Sequence, residues 1–237
     1  MNLRGSRPAI GLFVALWLAA APPTTLYADD GAIESVGGTI RLMDEHASIQ
    51  LIAETVNATI YPDSVVVECV FMLHNRGPAT EVAIGFPNTS FGTDVGAVVP
   101  FRSFTSHVDG TVVPVTAIED TSATWHGYGS YRGWMVKRVA FEAGQLRCLR
   151  EVYVATPGSS LPNYRSFEYT FQTGASWAGP IGVGEATLRF VGIPEDSLDS
   201  ADPPPTSRRP GMQRWHFENL EPGPDSPLND IRISWRE

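Results

Sequence analysis

The chain has 237 residues, of which 26 are acidic and 17 are basic, and its formal net charge is −9. This acidic balance disfavours nucleic acid as a partner, because a phosphate backbone binds to basic surfaces. The length fits one large domain or two small ones, and the two cysteines allow at most one disulfide.

The first 28 residues are typical of a secretory signal peptide. Arg4 and Arg7 supply the positive start, an apolar run covers residues 10–21, and cleavage is predicted after Ala28. The apolar run is about a dozen residues long, whereas a membrane-spanning helix needs about 20. We therefore expect a periplasmic or secreted protein that has no transmembrane anchor after cleavage.

The remainder of the chain is predicted to be all-β, because runs of β-branched and aromatic residues are bounded by turn residues and helical periodicity is almost absent. The first clear pair of strands, residues 49–61 and 65–73, surrounds the turn Pro62-Asp63-Ser64. The second strand of this pair is apolar at nearly every position, which predicts burial on both of its faces. Residues 80–86 then resume a strand.

Two hairpins are predicted further along the chain. The first is centred on Asp109-Gly110, a dipeptide typical of two-residue hairpins because both central positions need positive φ. The second turns at residues 142–145, and its arms alternate well enough to predict at least one solvated face. The flanking strands are residues 101–108 and 111–118 for the first hairpin, and residues 134–141 and 146–154 for the second.

Regularly spaced strands favour an immunoglobulin-like or related antiparallel β-sandwich. Strands at 167–171 and 185–191 complete a sandwich domain that we assign to residues 29–193, and two packed β modules with a junction near 120–132 remain an alternative. Residues 194–212 include Pro203-Pro204-Pro205 and are predicted to form a flexible excursion. Residues 213–237 then regain apolar alternation and are predicted to return to the sandwich.

No catalytic, cofactor or metal site is predicted. The five histidines are scattered, and no two of them have ligand spacing. The segment Gly174-Ala175-Ser176-Trp177-Ala178 imitates the nucleophile elbow of hydrolases. That elbow needs a helix after the serine, whereas Gly179-Pro180 and a strand follow here, so we expect a tight loop in which Trp177 packs over the end of the sandwich.

The segment 125–134 contains four aromatic residues and three glycines in ten positions. Exposed aromatic rings on a rigid β scaffold stack on sugars or anchor a partner protein at low entropic cost. The alternative is that Trp134 starts a core strand and the other rings fold over the sheet. The candidate binding residues, which include one from the later loop, are Trp125, Tyr128, Tyr131, Arg132 and Trp177.

Cys69 and Cys148 lie in separate predicted strands. An oxidising compartment allows them to form a disulfide, which would stabilise the fold by about 3 to 5 kcal/mol. Two buried free thiols in neighbouring strands are the alternative, and the sequence leaves both open.

Turn and strand features spread over most of the mature chain resemble an exported bacterial family that is known as a domain of unknown function (family 4424). The resemblance implies a secreted or periplasmic β-sandwich and assigns no catalytic residues. The chain departs from that pattern in the Pro-rich stretch after Pro194 and in the aromatic cluster near Trp125. The matching features are Gly37-Gly38-Thr39-Ile40, the turn around Pro62-Asp63, His74-Asn75, Ala83-Ile84-Gly85-Phe86-Pro87, Val108-Asp109-Gly110, Phe141-Glu142-Ala143-Gly144-Gln145 before a strand ending in Tyr153, Thr173-Gly174-Ala175-Ser176-Trp177-Ala178-Gly179-Pro180-Ile181 and a Trp-bearing C-terminal strand.

Together these features favour a non-enzymatic binding or structural module of the cell envelope, whose partner is a protein or a glycan. The alternative is a secreted hydrolase whose site is assembled from distant loops.

Overall fold

The computed structural model describes residues 34–38, 40–43, 48–91, 101–119, 133–159, 163–223, 226 and 228–237. The predicted signal peptide, residues 1–28, and the predicted junction, residues 120–132, lie outside the described residues. Within the described residues, there is no helix with the length and apolar character that crossing a membrane requires.

The described chain forms 18 strands and two short 3-10 turns. The strands in the first half are β1 Glu34–Gly38, β2 Arg41–Leu42, β3 Ile49–Ile60, β4 Val65–Asn75, β5 Thr80–Pro87, β6 Thr89–Phe91, β7 Ser103–Val108, β8 Thr111–Val113 and β9 Thr116–Glu119. The strands in the second half are β10 Gly133–Phe141, β11 Leu146–Ala155, β12 Gly158–Ser159, β13 Tyr164–Thr170, β14 Ile181–Phe190, β15 Leu198–Asp202, β16 Ser207–Arg209, β17 Met212–Leu220 and β18 Asp230–Arg236.

These strands build three sheets that pack together, so the predicted all-β sandwich is confirmed. The eight-stranded sheet has the order β16-β17-β14-β3-β4-β11-β7-β8, and the four-stranded sheet has the order β2-β5-β10-β9. The third sheet has the order β15-β18-β13-β1-β6, with β12 beside β13. Pairing is antiparallel except between β14 and β3 and between β1 and β13. One hydrophobic core draws on all three sheets, with Phe71, Ile84 and Ile233 as examples.

The hairpin of β3 and β4 confirms the prediction around Pro62-Asp63-Ser64. The prediction that β4 is buried on both of its faces is wrong. Val65 and Val67 are fully buried, whereas Val66 between them is 39% exposed. The other two sheets cover only the inner face of the eight-stranded sheet, so the outer face of this apolar strand remains partly open to solvent.

The hairpin at Asp109-Gly110 is also confirmed, between β7 and β8. Both central residues have positive φ, 49° for Asp109 and 80° for Gly110, as a two-residue turn of this kind requires. The Asp109 carboxylate accepts a hydrogen bond from the backbone N–H of Cys148 at 2.9 Å and pairs with Arg147. The turn is therefore tied to the neighbouring strand β11.

The prediction that residues 134–141 and 146–154 pair as a hairpin is wrong. The turn at residues 142–145 forms, with the Gln145 N–H donating to the Glu142 carbonyl at 3.2 Å. However, β10 pairs with β5 and β9 in the four-stranded sheet, while β11 pairs with β4 and β7 in the eight-stranded sheet. The apolar faces of the two arms meet across the core instead of lying side by side, so the turn links two sheets.

The buried side chain of Asn75 fastens this link between the sheets. Its amide nitrogen donates to the carbonyls of Pro78 at 2.7 Å and Glu142 at 3.0 Å. Its amide oxygen accepts from the Ser48 hydroxyl at 2.9 Å and the Gly77 N–H at 3.0 Å. All four hydrogen bonds of this amide are therefore made inside the protein.

The Pro-rich stretch 194–212 is not a flexible excursion in the structure. It contains the 3-10 turn Glu195–Ser197 and the short strands β15 and β16, which pair with β18 and β17. The indole N–H of Trp215 donates to the carbonyl of Pro203 at 2.9 Å, which holds the proline segment against the sandwich. Prolines are tolerated here because they lie between edge strands, where few ladder hydrogen bonds are needed. The C-terminal strands β17 and β18 lie in different sheets, β17 in the eight-stranded sheet and β18 beside β13.

Candidate binding groove

Four of the sequence-predicted binding residues, Trp125, Tyr128, Tyr131 and Arg132, lie outside the described residues. The structure does describe the strands on either side of them. Glu119 at the end of β9 is paired with Gly133 at the start of β10.

Trp177, the fifth predicted binding residue, is a core residue. Its side chain is only 5% exposed, and its indole N–H donates to the carbonyl of Ile40 at 2.7 Å. It therefore fastens the loop after β13 to the segment between β1 and β2 and is not available to a ligand. This placement corrects its assignment as a contact residue and agrees with the expectation that it packs over the end of the sandwich.

The neighbouring Ser176 also serves the fold. Its hydroxyl oxygen accepts a hydrogen bond from the N–H of Leu42 at 2.9 Å, and the hydroxyl donates to the carbonyl of Thr173 at 3.4 Å. Ser176 ends a 3-10 turn, and strand β14 follows it. The strand-to-helix geometry that activates a nucleophilic serine is therefore missing at this position.

The two cysteines are free thiols in adjacent strands. Cys69 lies opposite Glu151 in the pairing of β4 with β11, three residues from Cys148. Because side chains alternate between the faces of a sheet, an offset of three places the two thiols on opposite faces. Burial raises the pKa of Cys69 well above its ordinary value and raises that of Cys148 less.

Polar residues also lie inside the core, where the sequence reads as apolar strands. Lys137 of β10 pairs with Glu151 of β11, and the Ser106 hydroxyl donates to the same carboxylate at 3.2 Å. Nearby, the hydroxyl of Tyr169 donates to Glu54 at 2.7 Å. These side chains are at most 4% exposed, so they connect the sheets and offer no surface to a solute.

The electrostatics of this interior are set by burial. Burial lowers the pKa of Lys137, although its attraction to Glu151 acts in the opposite direction. Burial also raises the pKa values of Tyr153 and Tyr169. Among the described residues, no group of three or more His, Cys, Asp or Glu side chains has the arrangement of a metal site.

A groove at the edge of the sandwich combines space with exposed charge. It encloses about 70 Å³ between the edge strand β16 with its neighbour β17 on one side and the 3-10 turn Glu195–Ser197 with β15 on the other. About 10 to 15 Å³ of such space holds one water, so the groove has room for roughly five waters or a small solute. Its lining residues are Glu195, Leu198, Asp199, Arg208, Arg209, Gly211, Met212 and Gln213.

Gln213 forms the buried end of this groove. It lies opposite Arg208 in the pairing of β16 with β17, and opposite Leu188 in the pairing of β14 with β17. Directly opposed residues share a face of the sheet, so Gln213 points to the interior side together with the buried Leu188. Its side chain is 6% exposed, and its Oε1 has no hydrogen-bond partner among the described residues.

The charges around the groove are balanced in number and unpaired. Arg208 and Arg209 come from β16, while Glu195 and Asp199 come from the opposite wall. Within the described part of the chain, none of these four side chains forms a salt bridge, although eight other carboxylates pair with arginine or lysine. Opposite charges that share a groove without touching can be bridged by a bound molecule.

Sequence reasoning missed this groove. The sequence predicts a flexible excursion over residues 194–212 because the stretch is rich in proline, and a flexible excursion would form no groove. The only available signal was the departure of this stretch from the family pattern. The pairing of Arg208 with Gln213 depends on a register that no local motif specifies.

Comparison with solved structures finds several similar chains. A protein from Legionella pneumophila, provisionally named a nutrient-binding protein, is similar with a TM-score of 0.66 and 15% identity, over 86% of this chain and 72% of that one. A leukotriene A4 hydrolase from Saccharomyces cerevisiae matches with a TM-score of 0.45 and 8% identity over 82% of this chain. A zinc metallopeptidase of the M1 type from Deinococcus radiodurans matches with a TM-score of 0.38 and 10% identity over 81% of this chain.

The chain spans 30% of the yeast hydrolase and 43% of the bacterial peptidase. A scan against models of known protein families finds no match, and a search of curated proteins also finds none. At these identities the likeness to the Legionella protein is one of fold, and a fold hosts many functions. Function must therefore be argued from the groove.

Proposed function

We propose that this protein is an exported, non-catalytic binding module that holds a small polar solute in the groove at Gln213. The observation that carries the proposal is the groove itself, whose lining includes four charged side chains, Glu195, Asp199, Arg208 and Arg209, that form no salt bridge within the described residues.

Export is supported by the N-terminal sequence. Arg4, Arg7, the apolar run 10–21 and the predicted cleavage after Ala28 have the order of a secretory signal. The provisional name of the Legionella protein, a nutrient-binding protein, fits the capture of a solute outside the cytoplasm.

A non-catalytic role is supported by the state of the groups that ordinarily perform hydrolysis. The Ser176 hydroxyl is engaged by the main chain of Leu42 and Thr173. Lys137 and Glu151 neutralise each other inside the core, where no substrate reaches them. A binding site needs neither a nucleophile nor a base, and the lining of the groove includes charged and polar residues.

Thermal shift with a panel of small polar solutes tests the proposal on the mature protein. A solute that binds only the folded state stabilises it by RT ln(1 + [L]/Kd), so the correct one is expected to raise Tm in a concentration-dependent manner. The increase should disappear in a groove variant, Arg208→Ala with Gln213→Leu. Arg214→Ala is a matched control, because Arg214 follows Gln213 in β17 and pairs with Glu185 outside the groove.

A second variant separates the groove from the aromatic segment. If the groove is the site, Tyr128→Ala with Tyr131→Ala should leave the thermal shift unchanged. A shift that persists in the groove variant and is lost in the tyrosine variant would move the site to the aromatic segment. A panel without any stabilising solute would overturn the solute-binding function.

A further inference from the structure

We infer that the outer face of the eight-stranded sheet is a membrane-contact surface, which binds the phosphate headgroups of an anionic lipid bilayer through Arg189 and Arg209. This inference goes beyond the proposed solute site, because it concerns an exposed face of the sheet and a different class of partner. It rests on the register of five neighbouring strands and on the charged and apolar side chains that this register aligns.

One row of side chains crosses the outer face from the edge strand β16 to the central strand β4. Met212 is paired with Arg209 on one side and with Arg189 on the other. Arg189 is in turn paired with Thr59, and Thr59 is paired with Val66. Because opposed residues of neighbouring strands share a face, these five side chains lie side by side. The exposure of Arg189, Arg209 and Val66 shows that the shared face is the outer one.

Arg189 and Arg209 are exposed cations on either side of Met212. Within the described residues neither of them forms a salt bridge, whereas Arg214 on the same face is neutralised by Glu185. Two strand spacings separate the backbones of Arg189 and Arg209 by about 10 Å. A guanidinium matches a phosphate in a bidentate manner, so each of these arginines can hold one headgroup.

Apolar side chains beside the two arginines favour a lipid surface over a free anion. Val66 is 39% exposed, and Val191, two residues after Arg189, is 46% exposed. A membrane interface accepts cations at the level of the headgroups and apolar groups at the boundary with the acyl chains. A small free ion gains nothing from apolar neighbours, and small ligands are usually enclosed in concave sites, whereas this surface is the outside of a sheet.

The acidic balance of the whole chain is compatible with this contact. Although the net charge is −9, exposed charges that are more than about 8 Å apart are largely screened at physiological ionic strength. The residues of the row itself therefore dominate the attraction, and none of the five is acidic. Nucleic acid is a poorer match, because it binds through many phosphate contacts and this row supplies two arginines.

Co-sedimentation of the mature protein with lipid vesicles tests the inference. Vesicles of phosphatidylglycerol and phosphatidylcholine in equal amounts are expected to carry the protein into the pellet. Added salt should release it, because screening weakens the attraction between arginine and phosphate. Vesicles of phosphatidylcholine alone should bind at least about 10-fold more weakly, since they have no net charge. Equal binding to both kinds of vesicle, or no binding to either, would overturn the inference.

Arg189→Gln with Arg209→Gln tests the two cations. This double variant is expected to bind the anionic vesicles at least about 10-fold more weakly at an unchanged Tm. The matched control is Arg76→Gln with Arg236→Gln, because these exposed arginines lie outside the row, form no salt bridge among the described residues and carry the same charge. Equal losses in the two double variants would show that only total charge matters and would refute the surface.

Val66→Ser with Val191→Ser separates a lipid surface from a free anion. This variant keeps both arginines and is expected to bind the anionic vesicles at least about 5-fold more weakly, because it removes apolar area that the bilayer would cover. Inorganic phosphate alone should leave the Tm of the unmodified protein unchanged. A Tm that rises with phosphate and depends on Arg189, together with full vesicle binding by the valine variant, would reassign the arginines to a free phosphate and overturn the lipid contact.

Discussion

Lys137 of the four-stranded sheet and Glu151 of the eight-stranded sheet form an ion pair that is sealed inside the core. Their side chains are 1% and 0% exposed. Oε1 of Glu151 also accepts from Ser106, whereas Oε2 has no hydrogen-bond partner among the described residues. The pair connects the two sheets across the core, within the strands β10 and β11 that the turn at residues 142–145 joins.

Breaking this pair from one side should be severe. Lys137→Ala is expected to lower the free energy of unfolding by about 3 to 5 kcal/mol, because it leaves the buried Glu151 without a counter-charge. The double replacement Lys137→Met with Glu151→Leu should recover most of that loss, since apolar groups of similar volume remove both desolvation costs. Urea denaturation at neutral pH measures both.

The adjacent residue provides a control for the ion pair. Arg138 pairs with Glu81 at the surface, where the side chains are 65% and 53% exposed. Arg138→Ala should therefore cost less than about 1 kcal/mol. Equal losses in the Lys137 and Arg138 variants would show that burial does not determine the strength of these pairs.

Two buried tyrosines should respond in opposite ways to loss of the hydroxyl. Tyr169 donates to Glu54, so Tyr169→Phe is expected to lower the free energy of unfolding by about 1 to 3 kcal/mol. The hydroxyl of Tyr153 has no hydrogen-bond partner among the described residues, so Tyr153→Phe should be neutral or stabilising. Thermal unfolding of the two variants makes the comparison, and a larger loss for Tyr153→Phe would refute it.

Stability should fall at alkaline pH. Burial raises the pKa values of Cys69, Tyr153 and Tyr169 above their ordinary values of 9.0 for the thiol and 10.0 for the phenols. Between the ordinary and the raised pKa the folded protein keeps protons that the unfolded chain releases, so the free energy of unfolding decreases as pH rises. The lowered pKa of Lys137 has the opposite effect: below its ordinary pKa of 10.5, this group makes the free energy of unfolding rise with pH. One group acts in this direction and three act in the other.

Urea denaturation at about pH 10 and about pH 11, where the phenols of the unfolded chain ionise and the opposing contribution of Lys137 fades, measures this decline. Cys69→Ala removes one of the buried acids and should make the decline shallower than in the unmodified protein. A free energy of unfolding that is constant or rises over this interval would contradict the assignment.

The two thiols should differ in reactivity. Cys148 is partly exposed and should react with a thiol reagent in the native protein, although its raised pKa will slow the reaction. Cys69 is fully buried and should react only after unfolding. Intact mass after alkylation, without a reductant, counts the modified sites, and a protein that takes up no reagent even when unfolded would reveal a disulfide.

Much of the local structure could be predicted from the sequence because its causes are local. Asp109-Gly110 makes a two-residue hairpin, since these residues tolerate positive φ wherever they occur. The strands β3 and β4 follow from apolar runs on either side of a proline turn. The sequence also argued against Ser176 as a nucleophile, since the chain after it does not favour a helix.

Which strands become neighbours is a non-local matter, and there the sequence was insufficient. The arms β10 and β11 have the pattern of a hairpin, yet each finds a better-matched partner elsewhere and the two meet only across the core. Cys69 and Cys148 were compatible with a bond until the register placed them on opposite faces. The alternation of buried and exposed residues along β4 could not be predicted, because both faces of the strand are apolar although only one of them is covered by another sheet.

The candidate groove is the clearest example of a feature that depends on the pairing of distant strands. The sequence predicted an all-β chain and its main turns, and it showed an acidic, proline-rich stretch with no internal pattern. Only the packed structure brought Gln213 and Arg208 onto one face, set Glu195 and Asp199 across from them, and left the amide oxygen without a partner. The physical reason is that turns depend on the φ preferences of adjacent residues, whereas a binding groove depends on the pairing of distant strands, and pairing is selected by the whole core at once.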